Sequence, residues 1–193
     1  MKNDEINRDV VNWANKLGLN IIKELGRGLA GVAYLTDDNK VIKQTTHSAE
    51  FFLAMKMQGK INENVVDVYK TKYIDEDSML ILMEKLDMEY YIKEVFETLE
   101  SVAEDNSLDI LEISEELAES SLSDDEICFL CDIKNAVKEI MSATKDFPVD
   151  IHGENIGIKE NGNFALIDQF NSTYNEDEFQ KMIKRKNKKS LKL

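Results

Sequence analysis

The sequence predicts an α+β chain in which a five-stranded antiparallel sheet with one inserted helix is followed by a mainly helical region. Three observations lead there. Short β-type runs separated by turn residues fill the stretch from Ile21 to Met83. Helical periodicity takes over after Leu86, and a second short β pair returns near Ile156. A length of 193 residues suits one domain, or one fold with two small lobes, and suffices for a core without disulfides or a structural metal.

Residues 1–19 open the chain as an amphipathic helix, with Ile6, Val10, Trp13 and Leu17 near helical spacing. Three strand-like runs follow, Asn20–Leu25, Gly31–Thr36 and Lys40–Gln44. A glycine loop separates the first two, and the turn residues Asp37, Asp38 and Asn39 the second and third. A helix from about Ser48 to Gln58 carries apolar Phe51, Phe52, Ala54 and Met55 and stops at Gly59. Val65–Ile74 and Ser78–Met83 complete the five strands, joined by Asp75, Glu76 and Asp77. Beyond Leu86 a helix over about 88–104 is expected to bury Tyr91, Val95, Leu99 and Val102, and a weaker segment spans 108–119. Ser123 and Glu126 form a capping box opening a third helix that reaches about Lys145. Pro148, the one proline, lies in the next loop, before the β pair Ile156–Ile158 and Phe164–Ile167.

No run of eighteen apolar residues exists, and the polar start MKNDEINRDVVNWANKLG lacks the apolar core of a signal peptide, so a cytoplasmic protein with no membrane role is expected. The net charge of −14 is unevenly spread. Residues 84–126 hold sixteen acidic side chains against Lys85 and Lys93, a surface that repels duplex nucleic acid. The last thirteen residues instead carry seven Lys or Arg and no acid, as suits either a helix C-terminus or a docking tail for an anionic partner. Cys128 and Cys131 have no second Cys pair to complete a metal site. At i, i+3 among Ile127, Phe129 and Leu130 they read as small helix residues at or near the core.

Chemistry concentrates in four places. Gly26, Gly28 and Gly31 make a G-x-G-x-x-G run, and the β-type residues after it place that run between two strands rather than between a strand and a helix. Such a hairpin lets backbone amides close over phosphates. Twelve residues after Gly31, Lys43 ends an apolar strand, where its ammonium needs a partner. Glu50, in the first turns of the next helix, is the candidate carboxylate; Glu63 is the alternative but falls in a loop. In Val149-Asp-Ile-His-Gly-Glu-Asn155 the D-x₄-N spacing puts a carboxylate, Asp150, and an amide, Asn155, on one short loop. Thirteen residues after Asn155, Asp168 ends an apolar strand, a suitable place for a Mg²⁺-holding carboxylate.

These pieces, in this order, resemble the eukaryotic-type protein kinase superfamily, including its minimal bacterial and phage-like members, over roughly residues 21–170. The resemblance implies a bilobal protein kinase-like fold. Residues 20–86 would form the N-lobe, with its five-stranded antiparallel sheet and one helix, and 87–193 a truncated, mainly helical C-lobe, all in one domain. It also implies ATP and Mg as cofactors: Gly26, Gly28 and Gly31 over the phosphates, Lys43 paired with Glu50, Met83 at the gatekeeper place, and the Glu84–Leu86 backbone at adenine. Asp150 would be the catalytic base, and Asn155 and Asp168 the metal ligands.

Three departures narrow that picture. Pro148 and Val149 stand where the family has His-Arg before the catalytic Asp, so an arginine that would receive a phosphorylated activation loop is missing. His152 replaces the lysine two places after Asp150, as in aminoglycoside- and choline-kinase-like loops, and is a candidate γ-phosphate contact. Asp168-Gln-Phe170 replaces Asp-Phe-Gly, and the 25 residues after Asp168 hold no Ala-Pro-Glu motif. The expected activity is γ-phosphoryl transfer from ATP to a Ser or Thr hydroxyl of a protein substrate. A pseudokinase module and a small-molecule kinase are the alternatives.

Overall fold

The computed structural model describes residues 6–29, 31–144, 151–167 and 176–190. The chain divides into two compact units. One comprises Met1–Lys60, Asp67–Lys85 and Asn171–Leu193; the other comprises Ile61–Val66 and Leu86–Phe170. The segments 61–66 and, among the described residues, 176–190 each fold with the unit that chain order alone would not give them.

The first unit is a five-stranded antiparallel sheet with helices. Its strands are β1 (Ile21–Arg27), β2 (Gly31–Thr36), β3 (Lys40–Thr45), β4 (Val68–Asp75) and β5 (Ser78–Glu84), in spatial order β1-β2-β3-β5-β4. Side-chain alternation along β3 and β5 divides the sheet's two faces. On one face Tyr34, Ile42, Leu80 and Leu82 form a core with Val10, Trp13 and Ala14 of α1 (Arg8–Lys16). That helix starts at Asn7, whose side chain accepts the Asp9 N–H at 2.8 Å, and stops before Gly18, which has a left-handed φ of 73°. The other face carries Lys43, whose ammonium meets Glu50 of α2 (Ser48–Met57). Eight of the ten α2 residues are buried, so this helix is covered on more than the one side that faces the sheet. Part of that cover comes from α6 (Glu176–Ser190), which inserts Phe179 against Phe51, Phe52 and Tyr73.

The second unit is mainly helical: α3 (Tyr90–Asp105), α4 (Glu115–Ser121) and α5 (Asp124–Thr144), with the hairpin β6 (Ile156–Ile158) and β7 (Phe164–Leu166). The Ser123–Glu126 capping box forms as expected, with the Ser123 N–H donating to Glu126 Oε2 at 2.7 Å. The expected single segment 108–119 is instead a 3₁₀ turn at Ile110–Glu112 followed by α4, because Asp109 and Ser114 each cap a separate start. On α3 the buried stripe is Ile92, Phe96, Leu99 and Ala103 rather than Tyr91, Val95, Leu99 and Val102. Both stripes have helical spacing, but the larger Phe96 takes the core place against Phe129, which stands edge-on to Phe164 at 4.6 Å.

Two more expectations change. Val65 and Val66 do not begin β4. They pair with β7, through Leu166 N–H to Asn64 O at 3.1 Å and Val66 N–H to Leu166 O at 3.0 Å. Cys128 and Cys131 are exposed rather than near the core, because Phe129, Leu130 and Ile133 fill the inner face of α5 and turn both thiols outward. Among the described residues no helix is long and apolar enough to cross a membrane.

Candidate active site

In the first unit, Lys43 lies on β3 between Ala33 of β2 and Ile81 of β5. Its Nζ is 2.7 Å from Glu50 Oε1, and the two side chains keep only 13% and 9% of their surface exposed. A charge in such a place is tolerable only with a close opposite charge, which α2 supplies from its first turn. Glu50 is thus the partner of Lys43. Glu63 belongs to the second unit, where its N–H donates to Glu139 Oε1 at 3.0 Å.

The glycine run forms the β1–β2 hairpin, with Gly26 opposite Ala33 and the Gly28 N–H donating to Gly31 O at 2.9 Å. The three glycines differ in what requires them. A Cβ on Gly31 would stand 2.2 Å from Gln44 O, so the approach of β3 excludes any side chain there. A Cβ on Gly26 or Gly28 would meet nothing within 4 Å. Beside the hairpin, Arg27 binds Glu24 through both Nε (3.2 Å) and NH2 (2.8 Å). Burial, then the charge of Glu24, raises the Tyr34 phenol above its ordinary value, so that it stays a neutral hydroxyl.

At the end of β5, Met83 is buried opposite Val41 and Val68. Glu84 pairs with the strand entry: its N–H donates to Asp67 O at 2.9 Å, and its Oε2 accepts the Asp67 N–H at 3.3 Å. Leu86, in the second unit, is buried against Gly157, where a Cβ would come within 2.6 Å of it.

The second unit carries the loop residues. His152 precedes a 3₁₀ turn, Gly153–Asn155, and the Asn155 N–H donates to His152 O at 2.9 Å. The Asn155 amide nitrogen is 2.9 Å from His152 Nε2. Asn155 O in turn accepts the Ile167 N–H at 2.8 Å, which ties the loop to the strand that precedes Asp168. Asp150 and Asp168 themselves lie outside the described residues. Among the described residues no three His, Cys, Asp or Glu side chains cluster as a metal site; Asn155 could contribute an amide oxygen to one.

Two features had weak sequence signals. A concavity of about 200 Å³ is lined by Lys93, Phe96, Glu97, Glu100, His152 and Glu154. The acidity of this region was legible, but which carboxylates face His152 depends on the rotation of α3. Lys159 is buried with its ammonium donating to Asn62 O at 2.6 Å and Val65 O at 3.0 Å. Nothing in local sequence distinguishes it from a surface lysine after a strand. No protein-family model matches the chain, and no curated protein matches it.

Proposed function

We propose that the chain is an ATP- and Mg²⁺-dependent phosphotransferase with a bilobal protein kinase-like fold, acting on a protein Ser or Thr hydroxyl. The observation that carries the reading is the Lys43–Glu50 pair. It is a largely buried ammonium held charged by a helix carboxylate, on the strand that follows a glycine hairpin. An ion pair in this position is a poor way to stabilise a fold and a good way to preset a cation for phosphate oxygens. The open space at Gly26 and Gly28 supports the same reading, since among the described residues no packing calls for glycine there.

Bound ATP·Mg²⁺ supplies the γ-phosphoryl group and a metal ion that neutralises charge on the phosphates. The chain's own residues have separate tasks. Lys43 offers its ammonium to the phosphates, while Gly26, Gly28 and Gly31 present main-chain amides to them. The main chain at Glu84 and Leu86 holds the adenine. In the other unit, Asn155 would offer its side-chain amide oxygen to a metal ion. Asp168 is the second metal ligand, Asp150 receives the proton of the attacking hydroxyl, and His152 serves the γ-phosphate.

The test is phosphoryl transfer from γ-labelled ATP to the chain itself and to generic protein acceptors, with Lys43→Ala and Asp150→Ala alongside. Transfer by the wild type that both variants lose supports the reading. Stabilisation by ATP·Mg²⁺ without transfer would make the chain a nucleotide-binding module. No stabilisation by nucleotide would end the proposal.

One observation favours a second acceptor class. The concavity beside His152 presents Glu97, Glu100 and Glu154, a lining suited to a small hydroxyl compound that carries an amine. ATP consumption stimulated by cationic alcohols but not by proteins would select it.

A further inference from the structure

In the first unit an aromatic cluster joins α2, β4 and α6, which are distant parts of the chain. Phe179 of α6 stands 6.4 Å from Phe51, 6.3 Å from Phe52 and 6.2 Å from Tyr73, each at a tilted-edge angle between 70° and 86°. Phe179 is 3% exposed, and Ile183, one turn on, is 5% exposed. Lys56 joins the same contact, since its ammonium lies 5.1 Å from the Phe52 ring centroid and pairs with Glu178. Such edge-on ring contacts are directional, and Phe179 makes them with both Phe51 and Phe52 of α2.

The rotation of α2 matters because Phe51 follows Glu50 directly. The helix has little amphipathic bias of its own to set how it lies, with buried residues all round. Its rotation therefore depends on what covers it, and one of the covers is α6. We propose that α6 positions Glu50 against Lys43, with Phe179 as the positioning residue. Its consequence for nucleotide affinity rests on the phosphotransferase reading above.

The test is amine acylation of the full-length protein by an N-hydroxysuccinimide acetate, with the modified lysines read by mass spectrometry. An ion-paired, largely buried Lys43 reacts slowly in the wild type. Lys159, buried in the other unit, controls for general unfolding, and fluorescence of the single tryptophan, Trp13, reports the opposite face of the same sheet. Phe179→Ala is expected to raise Lys43 acylation about five- to tenfold and to weaken ATP·Mg²⁺ binding by a similar factor, within the usual range of coupling between sites. Lys159 acylation and Trp13 emission stay as in the wild type. Phe179→Leu should restore most of the protection, and Ile183→Ala should act in the same direction as Phe179→Ala but less.

Unchanged Lys43 reactivity in a folded Phe179→Ala protein would overturn the proposal. So would a joint rise at Lys43 and Lys159 in all three variants, which would make α6 a general stabiliser. If Phe179→Ala does not fold, Phe179→Leu and Ile183→Ala decide by the same criteria. A selective rise at Lys43 in a protein that binds no nucleotide would uphold the positioning role and remove the phosphotransferase reading.

Discussion

Exchanging the Lys43–Glu50 pair for apolar residues separates what the pair does for the fold from what it does for the proposed activity. Glu50→Leu leaves an ammonium at 13% side-chain exposure without its carboxylate. Removing one partner of a fully buried pair costs about 3–5 kcal/mol. Residual exposure of both groups lowers the expectation here to about 2–4 kcal/mol. For a chain of this size that is a fall in Tm of roughly 5–15 °C. Lys43→Met takes this ammonium from the buried Glu50 carboxylate instead, for a loss of about 1–3 kcal/mol. The double variant removes both charges and keeps apolar volume, so it should lie within about 1 kcal/mol of the wild type. Urea unfolding followed by circular dichroism gives the four stabilities, and thermal shift with ATP·Mg²⁺ gives nucleotide binding for each. The expected result is a stable double variant with no nucleotide response. If the two single losses simply add in the double variant, the groups are not coupled and the geometry of the pair is wrong. If the double variant still responds to nucleotide, the pair is not the phosphate-binding group.

The three glycines should separate in the same way. Gly31→Ala forces a Cβ against Gln44 O and should cost about 1–3 kcal/mol, whereas Gly26→Ala and Gly28→Ala should leave urea midpoints almost unmoved and weaken only the nucleotide response. Lys159→Met strands the carbonyls of Asn62 and Val65, so a loss of about 1–3 kcal/mol is expected, with faster amide exchange in the β6–β7 hairpin; exchange unchanged there would contradict the staple. Asp37 accepts hydrogen bonds from the Asn20 backbone and side chain, which hold its carboxyl below the ordinary value. The stabilisation is therefore complete above the unfolded-state carboxylate range and disappears as pH falls through the lower folded value; NMR titration of Asp37 at or above the ordinary midpoint would refute it. Cys128 and Cys131 should both react with a thiol reagent in the native protein at rates close to those of a small free thiol; burial of either would make its reaction wait on unfolding.

The strands and helices were legible wherever one element owned its own pattern. The β1–β2–β3 run, the Ser123 cap and the β6–β7 hairpin follow from local residues, because turns, caps and alternation are local physics. The Lys43–Glu50 pair was legible for the same reason: a lysine on an apolar strand and a glutamate in the first turn of the next helix are short-range facts, although Lys43 lies within β3 and not at its end. What was hidden depends on elements far apart in sequence. Val65 and Val66 look like the start of a strand, and they do pair, but with β7 a hundred residues later. The stripe on α3 was misjudged by one position, since Tyr91-Ile92 and Val95-Phe96 offer two helical faces and only Phe129 decides between them. The cysteines were placed near the core because small sulfur side chains usually lie there, yet three larger neighbours fill the inner face of α5. No local signal showed that Phe179, in a strongly charged helix, would close over α2.

Lys43 and Lys159 show why burial alone does not make a functional cation. Both ammonium groups are largely removed from water, and both have partners. Lys159 donates to two main-chain carbonyls of the 61–66 segment, groups that cannot leave without undoing the pairing with β7. Such a lysine is spent on the fold, since moving its ammonium toward a ligand would strand two buried acceptors. Lys43 is paired with a carboxylate on a neighbouring helix, and an ammonium so paired can also meet a further anion because Lys carries three N–H donors. The same ion pair that contributes little to stability therefore keeps a cation charged, oriented and still able to bind. This difference in partner, more than any difference in exposure, makes Lys43 the residue on which the phosphotransferase proposal turns.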